Sequence, residues 1–218
     1  MAGTGISILR LRRSMKVVAY FVRHGQTDLN AASDFKGELQ IGLNDEGKKQ
    51  AEKLAELFKG KKLSAAFRSG LKRAQETAQP ILSGRNMRPS TTNDLDSLDV
   101  GQFTGQPKND KNMDEMSYYQ SHTEEKIPGG ESIDEFRRRV DPKVLSIIHK
   151  GESAGAPSIA IVHGSVIREI SRFINKDEHN GAKIKPGGIV GIFKSPSGYT
   201  AKALYRKSNK PDDDRFGS

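Results

Sequence analysis

The chain contains no cysteine. That excludes a disulfide framework, a thiolate metal site and a cysteine nucleophile. No apolar run approaches the ~20 residues that a membrane-crossing helix needs. There is no internal repeat and no clear inter-domain linker. Metal-binding patterns are missing too: there is no HExxH, no aspartate-rich calcium loop, and no ligand spacing among the five histidines. Acidic residues are in deficit, 27 against 36 Lys and Arg, so the formal charge is +9. Such a chain attracts anions, whether small phosphorylated molecules, nucleic acid or an acidic surface, and charge alone does not choose among them.

What is present fits one well-buried domain, with room for a small insertion, in 218 residues. Residues 1–15 read as an N-terminal extension. They hold Arg10, Arg12 and Arg13 beside Ile6, Ile8, Leu9 and Leu11, and faintly resemble a transit peptide. Residues 16–206 are expected to form the domain, with 96–130 as a long loop or lid and 207–218 as a loose polar tail. With no cysteine and no convincing export signal, the expected location is the cytoplasm.

Val17 to Val22 is a continuous apolar run suited to a strand buried on both faces. Ala51, Leu54, Ala55 and Phe58 recur at helical spacing, which predicts a helix opened by Asn44 or Asp45 and closed at Gly60. A short strand is expected over 63–67, then a second amphipathic helix through Leu71, Ala74, Ala78 and Ile81 to near Gly84. The 96–130 stretch is polar and weakly patterned, with one short helix expected over 113–120. Ser132 to Glu135 reads as a capping box, and the helix it opens should bend at Pro142. Ser158 to Val162 is a second buried strand, followed by a helix from Ser165 and a closing hairpin around Ser197-Gly198. The alternation implies a three-layer α/β/α sandwich with a mostly parallel sheet.

Both buried strands end in His-Gly, at Arg23-His24-Gly25 and at His163-Gly164, and a third expected strand ends at Arg68-Ser69-Gly70 with Arg73 beyond it. Ligands in such sheets bind past the carboxyl ends of the strands. Two imidazoles and two or three guanidiniums gathered there would repel one another unless an anion joined them. A tetrahedral phosphoryl group suits arginine forks. A single histidine at a strand end is more often structural, so the weight rests on the joint occurrence.

"VRHGQTDLN", "LNDEGKKQA", "RSGLKRAQETA", "GGES" and "IVHGSVIRE", in that order, resemble the motifs of the histidine phosphatase superfamily, the phosphoglycerate mutase-like family. The resemblance spans roughly 16–206 and implies a phosphoglycerate mutase-like fold. It implies His24 as the nucleophile that becomes phosphorylated. Arg23, Arg73, His163 and Asn30 would be phosphoryl contacts, with Gly164 beside His163 and Gln26 and Thr27 shaping the loop. No metal and no other cofactor is implied.

The sequence departs from the family where many members carry a glutamate acid. Ser97 falls at that place in Leu95-Asp96-Ser97-Leu98-Asp99-Val100-Gly101. Asp99 is the first candidate proton donor, Asp96 the second and Asp28 a distant third. The bland reading of Asp99 is a turn cap before Gly101. Glu131 reads as helix-start electrostatics. The run Arg137-Arg138-Arg139 reads as solvated surface, one member of which could meet a distal anion on a substrate.

The expected activity is hydrolysis of a small phosphorylated metabolite. The alternatives are a mutase that returns the phosphoryl group to substrate, and a phosphate-binding scaffold lacking its acid. Nucleic-acid binding rests on charge alone, without an aromatic RNA motif or zinc-finger spacing. The expected partner is therefore the substrate, with neither nucleic acid nor membrane. Oligomeric state and substrate identity stay open, and specificity is expected in residues 31–42 and 100–130.

Overall fold

Val18 to Val22 are all buried, and the strand they form lies inside a sheet covered on both faces. The computed structural model describes residues 15–176 and 184–205, so most of the N-terminal extension and the polar tail lie outside the described residues. In chain order the elements are β1 (Lys16–Arg23), the one-turn helix α1 (Asp28–Ala31), α2 (Asp45–Phe58), β2 (Ala66–Arg68), α3 (Lys72–Leu82) and β3 (Ser90–Thr91). They continue with α4 (Asp110–Ser121), α5 (Ile133–Ser153), β4 (Ser158–Val162), α6 (Gly164–Asn175), β5 (Ile189–Ser195) and β6 (Gly198–Tyr205).

The sheet order is β3-β2-β4-β1-β5-β6. The first four strands are mutually parallel, and β5 and β6 complete the sheet antiparallel. The strand alternation divides the core. Ala19, Phe21, Ala160 and Val162 face a cluster with Val140, Val144 and Ile147 of α5 and Val166, Ile167 and Ile170 of α6. Tyr20, Val22, Ile159 and Ile161 face Leu54 and Phe58 of α2 and Ala74, Ala78 and Ile81 of α3. Each fully buried aliphatic side chain contributes ~1.5–3 kcal/mol, so the two clusters dominate the fold's stability.

Asn44 caps α2 by accepting from the Gly47 N–H at 2.9 Å. The Ser132–Glu135 capping box forms reciprocally, at 3.1 and 3.0 Å, an arrangement worth about 1 kcal/mol. Regular pairing in β2 begins at Ala66 rather than Leu63, because Ser64 N–H reaches the Pro157 carbonyl at 2.8 Å before the ladder starts. Helix α5 continues unbroken past Pro142.

The polar 96–130 stretch is better anchored than its composition implies. Leu98, Val100, Phe103, Met116 and Ile127 join the main core cluster, and α4 starts three residues earlier than expected, at Asp110. The apolar residues are too irregularly spaced to give a period, yet each finds the same core. No helix among the described residues is long and apolar enough to cross a membrane.

Candidate active site

Parallel pairing sets β1, β4 and β2 side by side in register. Arg23 lies opposite Val162, and Arg68 opposite Ile161. His24 N–H continues the ladder to the Val162 carbonyl at 3.0 Å, and Ser69 N–H to the Ile161 carbonyl at 3.1 Å. His24, His163 and Ser69 therefore leave the sheet at one edge. The two imidazole centroids are 5.1 Å apart at 54°, and both rings are buried.

Glycine at position 25 answers a steric need. A Cβ there would meet the Gly47 carbonyl oxygen at 2.5 Å, where the start of α2 crosses the loop. Gly25 N–H donates to Thr77 Oγ1 at 3.0 Å, which ties the turn to α3. A Cβ at Gly164 would lie 3.2 Å from the Arg23 guanidinium carbon, so this glycine admits the arginine against the start of α6.

The hydrogen bonds assign the tautomers. His24 Nδ1 is 2.7 Å from the Gly25 carbonyl, which only accepts. Nδ1 therefore carries the proton and Nε2 the lone pair. His163 Nδ1 accepts from Arg73 Nε at 3.2 Å, so its proton sits on Nε2, 2.7 Å from Ser69 Oγ. Ser69 in turn donates to Asp96 Oδ1 at 2.5 Å, and Gly70 N–H supports the same oxygen at 2.7 Å. The result is a buried string from Asp96 through Ser69 to His163.

Both histidines are held well below 6.5. For His24 burial is the main cause, followed by the Arg73 and Arg23 charges; for His163 burial leads and Arg73 follows. Each ring stays neutral because an imidazolium here would be both dehydrated and repelled. Arg73 is fully buried and donates to the carbonyls of Leu39 at 2.7 Å and Gly37 at 2.8 Å. Burial lowers it to about 10, and Asp96 and Glu38 oppose that shift, so it remains a cation. Arg23 donates through Nη1 to the Ile184 carbonyl at 2.5 Å. Its buried Nε has no hydrogen-bond partner among the described residues. An unpaired guanidinium N–H in this position is a donor held ready for an anion.

A pocket of about 590 Å³, open mouth included, lies over this group. Arg23, His24, His163 and Gly164 line it, as do Phe35, Lys36 and Gly37 from the loop after α1. Val100, Lys108, Met116 and Gln120 come from the 100–130 stretch, so both segments expected to set specificity reach the pocket. Arg73 stands behind His163 and is not among the lining residues.

Other sequence candidates lie elsewhere. Asn30 closes a capping box with Thr27, its side-chain oxygen accepting from Thr27 N–H at 3.2 Å. Gln26 accepts from the Asn44 side chain at 3.1 Å. Asp28 lies in the first turn of α1. Asp99 accepts from Gly101 N–H at 3.1 Å, the turn-capping arrangement, and is not among the lining residues. Ser97 does line the pocket, 3.2 Å from Ser165 Oγ. No carboxylate lines it among the described residues.

Glu131 is more than a helix-start charge. It forms a two-point pair with Arg139 at 2.5 and 2.9 Å and accepts from Asp99 N–H at 2.9 Å. Arg139 also donates to the carbonyls of Asn93, Asp96 and Ser97 at 3.1, 3.1 and 2.9 Å. That clamp fixes the segment carrying Asp96, and it makes Arg139 a structural hub and not solvated surface. Sequence reasoning did not single out Lys36, Lys108 or Arg168. The available signal for Arg168 was its place four residues after Gly164, on the helix that begins at the site.

Residues 19–188 match the histidine phosphatase superfamily (branch 1). The chain belongs to this superfamily. It is 35% identical over 158 residues to phosphoglycerate mutase-like protein 4 of Arabidopsis thaliana, covering 68% of this chain and 67% of that protein. It is also 35% identical over 159 residues to the metal-independent phosphoserine phosphatase of the same plant, covering 68% and 65%. A mycobacterial glucosyl-3-phosphoglycerate phosphatase superposes with a TM-score of 0.71 over 88% of this chain and 98% of that one; at 21% identity this bears on the fold alone. This histidine phosphatase thus has the α/β/α architecture that its sequence implied.

Proposed function

We propose that the protein is a metal-independent phosphatase that hydrolyses a small phosphorylated metabolite through a phosphohistidine on His24. One observation carries this reading. His24 presents a neutral ring with its lone pair on Nε2, in a cation-lined pocket beside His163 and an unpaired Arg23 N–H.

In the first step the Nε2 lone pair attacks phosphorus, the bond from phosphorus to the ester oxygen breaks, and the departing oxygen takes a proton from solvent at the pocket mouth; the attacking water of the second step returns one to solvent. In the second, water attacks the phosphohistidine, the P–N bond breaks with its electrons returning to Nε2, and inorganic phosphate leaves. Arg23 faces the phosphoryl oxygens, while His163, its two ring nitrogens engaged by Arg73 and Ser69, packs against His24 and holds that ring in place. Catalysis is then mostly positional and electrostatic, with charge stabilisation supplied by guanidiniums. The similarity to a relative named for metal-independent phosphoserine hydrolysis supports the same reading.

The role of general acid has no carboxylate occupant at the pocket wall among the described residues. Hydrolysis should therefore be fastest for esters whose leaving group needs little help from an acid.

The test is hydrolysis of p-nitrophenyl phosphate in the presence of a metal chelator. Wild type should turn over, and His24→Ala should lose on the order of 10⁴-fold. Acid-labile phosphate should appear on His24 during turnover. A wild type that binds phosphate but does not turn over would instead favour the scaffold reading. The similarity to a phosphoglycerate mutase-like protein keeps phosphotransfer as the second reading. It is decided by whether phosphorylated enzyme loses its phosphate to water with no acceptor present.

A further inference from the structure

Ser97 and Ser165 line the same pocket as the two histidines. They reach it from different parts of the chain. Ser97 lies in the segment between β3 and α4, and Ser165 is the second residue of α6, two places after His163. Asp96 has extended backbone, so neighbouring side chains there leave on opposite sides. Asp96 turns to Ser69 and Gly70, and Ser97 turns to the pocket. Arg139 Nη2 fixes the backbone at this point by donating to the Ser97 carbonyl at 2.9 Å.

The hydroxyl hydrogens can be counted. The two Oγ atoms are 3.2 Å apart, so one hydroxyl donates to the other. Ser165 Oγ also accepts from Leu98 N–H at 3.1 Å. Two hydroxyls carry two hydrogens, and the mutual bond uses one. Neither has another acceptor among the described residues, so one O–H is left over on a half-buried pair at the pocket wall. Hydrogen bonds in a chain polarise one another. The amide at the head of the string favours the order Leu98 N–H, Ser165 O–H, Ser97 O–H, which leaves the spare hydrogen on Ser97.

The departing ester oxygen needs such a donor. It keeps the electron pair when its bond to phosphorus breaks, and no carboxylate lines the pocket among the described residues to protonate it. A serine hydroxyl is too weak an acid to give up its proton, but it can hold a hydrogen bond to charge as that charge develops.

We propose that Ser97 is a catalytic residue whose hydroxyl hydrogen-bonds the leaving oxygen, and that Ser165 is the positioning residue that aims it. No proton leaves the serine. The electron pair of the broken P–O bond stays on the departing oxygen, the Ser97 hydrogen bond stabilises it there, and solvent supplies the proton. The role rests on the phosphatase reading, because only ester cleavage creates a leaving oxygen.

The test compares kcat/KM for p-nitrophenyl phosphate and phenyl phosphate, which are alike around phosphorus and differ in how much help the leaving phenol needs. Ser97→Ala should lose about tenfold or more with phenyl phosphate and less than about threefold with p-nitrophenyl phosphate, since a missing donor is felt in proportion to the charge on the departing oxygen. Ser97→Thr keeps the hydroxyl and should hold the ratio of the two esters to within about twofold of wild type. Ser165→Ala should shift that ratio in the same direction as Ser97→Ala, by less. A melting curve for each variant places the assay below its unfolding. Equal losses on both esters in Ser97→Ala are the sign of a packing role and overturn the proposal, as does a Ser97→Ala enzyme as fast as wild type on both. A wild type that turns over neither ester overturns the phosphatase reading and this proposal with it, so the two failures are told apart by wild type alone.

Discussion

His163 Nε2 lies 2.7 Å from Ser69 Oγ, and that hydroxyl is the link through which the Asp96 carboxylate fixes the ring. The serine donates to the aspartate and accepts from the imidazole, so Asp96 reinforces through one hydroxyl the tautomer that Arg73 Nε sets at Nδ1. Ser69→Ala should lower kcat for p-nitrophenyl phosphate by ~10- to 100-fold, because a misplaced reacting group costs about that much. Steady-state kinetics with a parallel melting curve checks this. An unchanged kcat would mean that Arg73 alone holds His163.

The neutral state of His24 makes a pH prediction. Its pKa is held well below 6.5, by burial first and then by Arg73 and Arg23. In the free enzyme the acid limb of kcat/KM should therefore lie below pH 6.5. The linked stability has a definite sign. Between the folded pKa and 6.5 the unfolded chain binds the proton and the native ring does not, so stability falls as pH drops through that window. Proton NMR of the His24 ring, with His24→Gln for assignment, reads the titration directly. A midpoint at or above 6.5 would contradict the electrostatic account.

The aspartates separate cleanly by their contacts. Asp99 caps Gly101, whereas Asp96 holds Ser69 and Gly70. Asp99→Asn keeps an acceptor for that turn and should change kcat by less than about threefold, while Asp96→Asn should cost ~10-fold or more. With no carboxylate at the pocket wall among the described residues, a series of aryl phosphates should show rates rising steeply as the leaving phenol becomes more acidic. A flat series together with a large Asp99→Asn loss would restore Asp99 as proton donor.

Lys36 supplies a stability test. Its folded pKa is about 7, far below the 10.5 of a free lysine. Below pH 7 the lysine is charged in both states, and the penalty on the native state is full. From there upward the unfolded chain binds more protons, so this penalty is relieved as pH rises. Lys36→Met should accordingly raise the melting temperature more at pH 6 than at pH 9, by a difference on the order of 2–4 °C. Scanning calorimetry at the two pH values without phosphate checks it; equal gains would refute the perturbed lysine.

Much of the architecture could be read along the chain because its signals are local. Val17 to Val22 and Ser158 to Val162 announce buried strands by composition, and the Ser132–Glu135 cap by spacing. The convergence of Arg23, His24 and His163 followed from one rule about strand ends, and parallel register realises it. The 96–130 segment was harder. Leu98, Val100, Phe103 and Met116 are buried without a regular period, since the first three reach the core from the irregular segment before α4 and Met116 from α4 itself.

The site was legible only as far as its motifs extend. Asn30 and Asp99 sit in the expected neighbourhoods, and the folded geometry adds that one side-chain oxygen of each accepts from a local backbone N–H. Arg139 looked like one of three surface arginines until its clamp on Glu131 and the Asn93, Asp96 and Ser97 carbonyls was seen.

The sequence by itself determined the superfamily, the two buried strands and the histidine at the end of each, because periodicity and motif spacing are properties of neighbouring residues. Tertiary structure alone decided which nitrogen of each histidine carries the proton, which aspartate is tied to His163 through Ser69, and that Lys36, Lys108 and Arg168 share the pocket. Those facts depend on contacts between segments tens of residues apart, and hydrogen-bond direction and charge repulsion are set only once such segments meet.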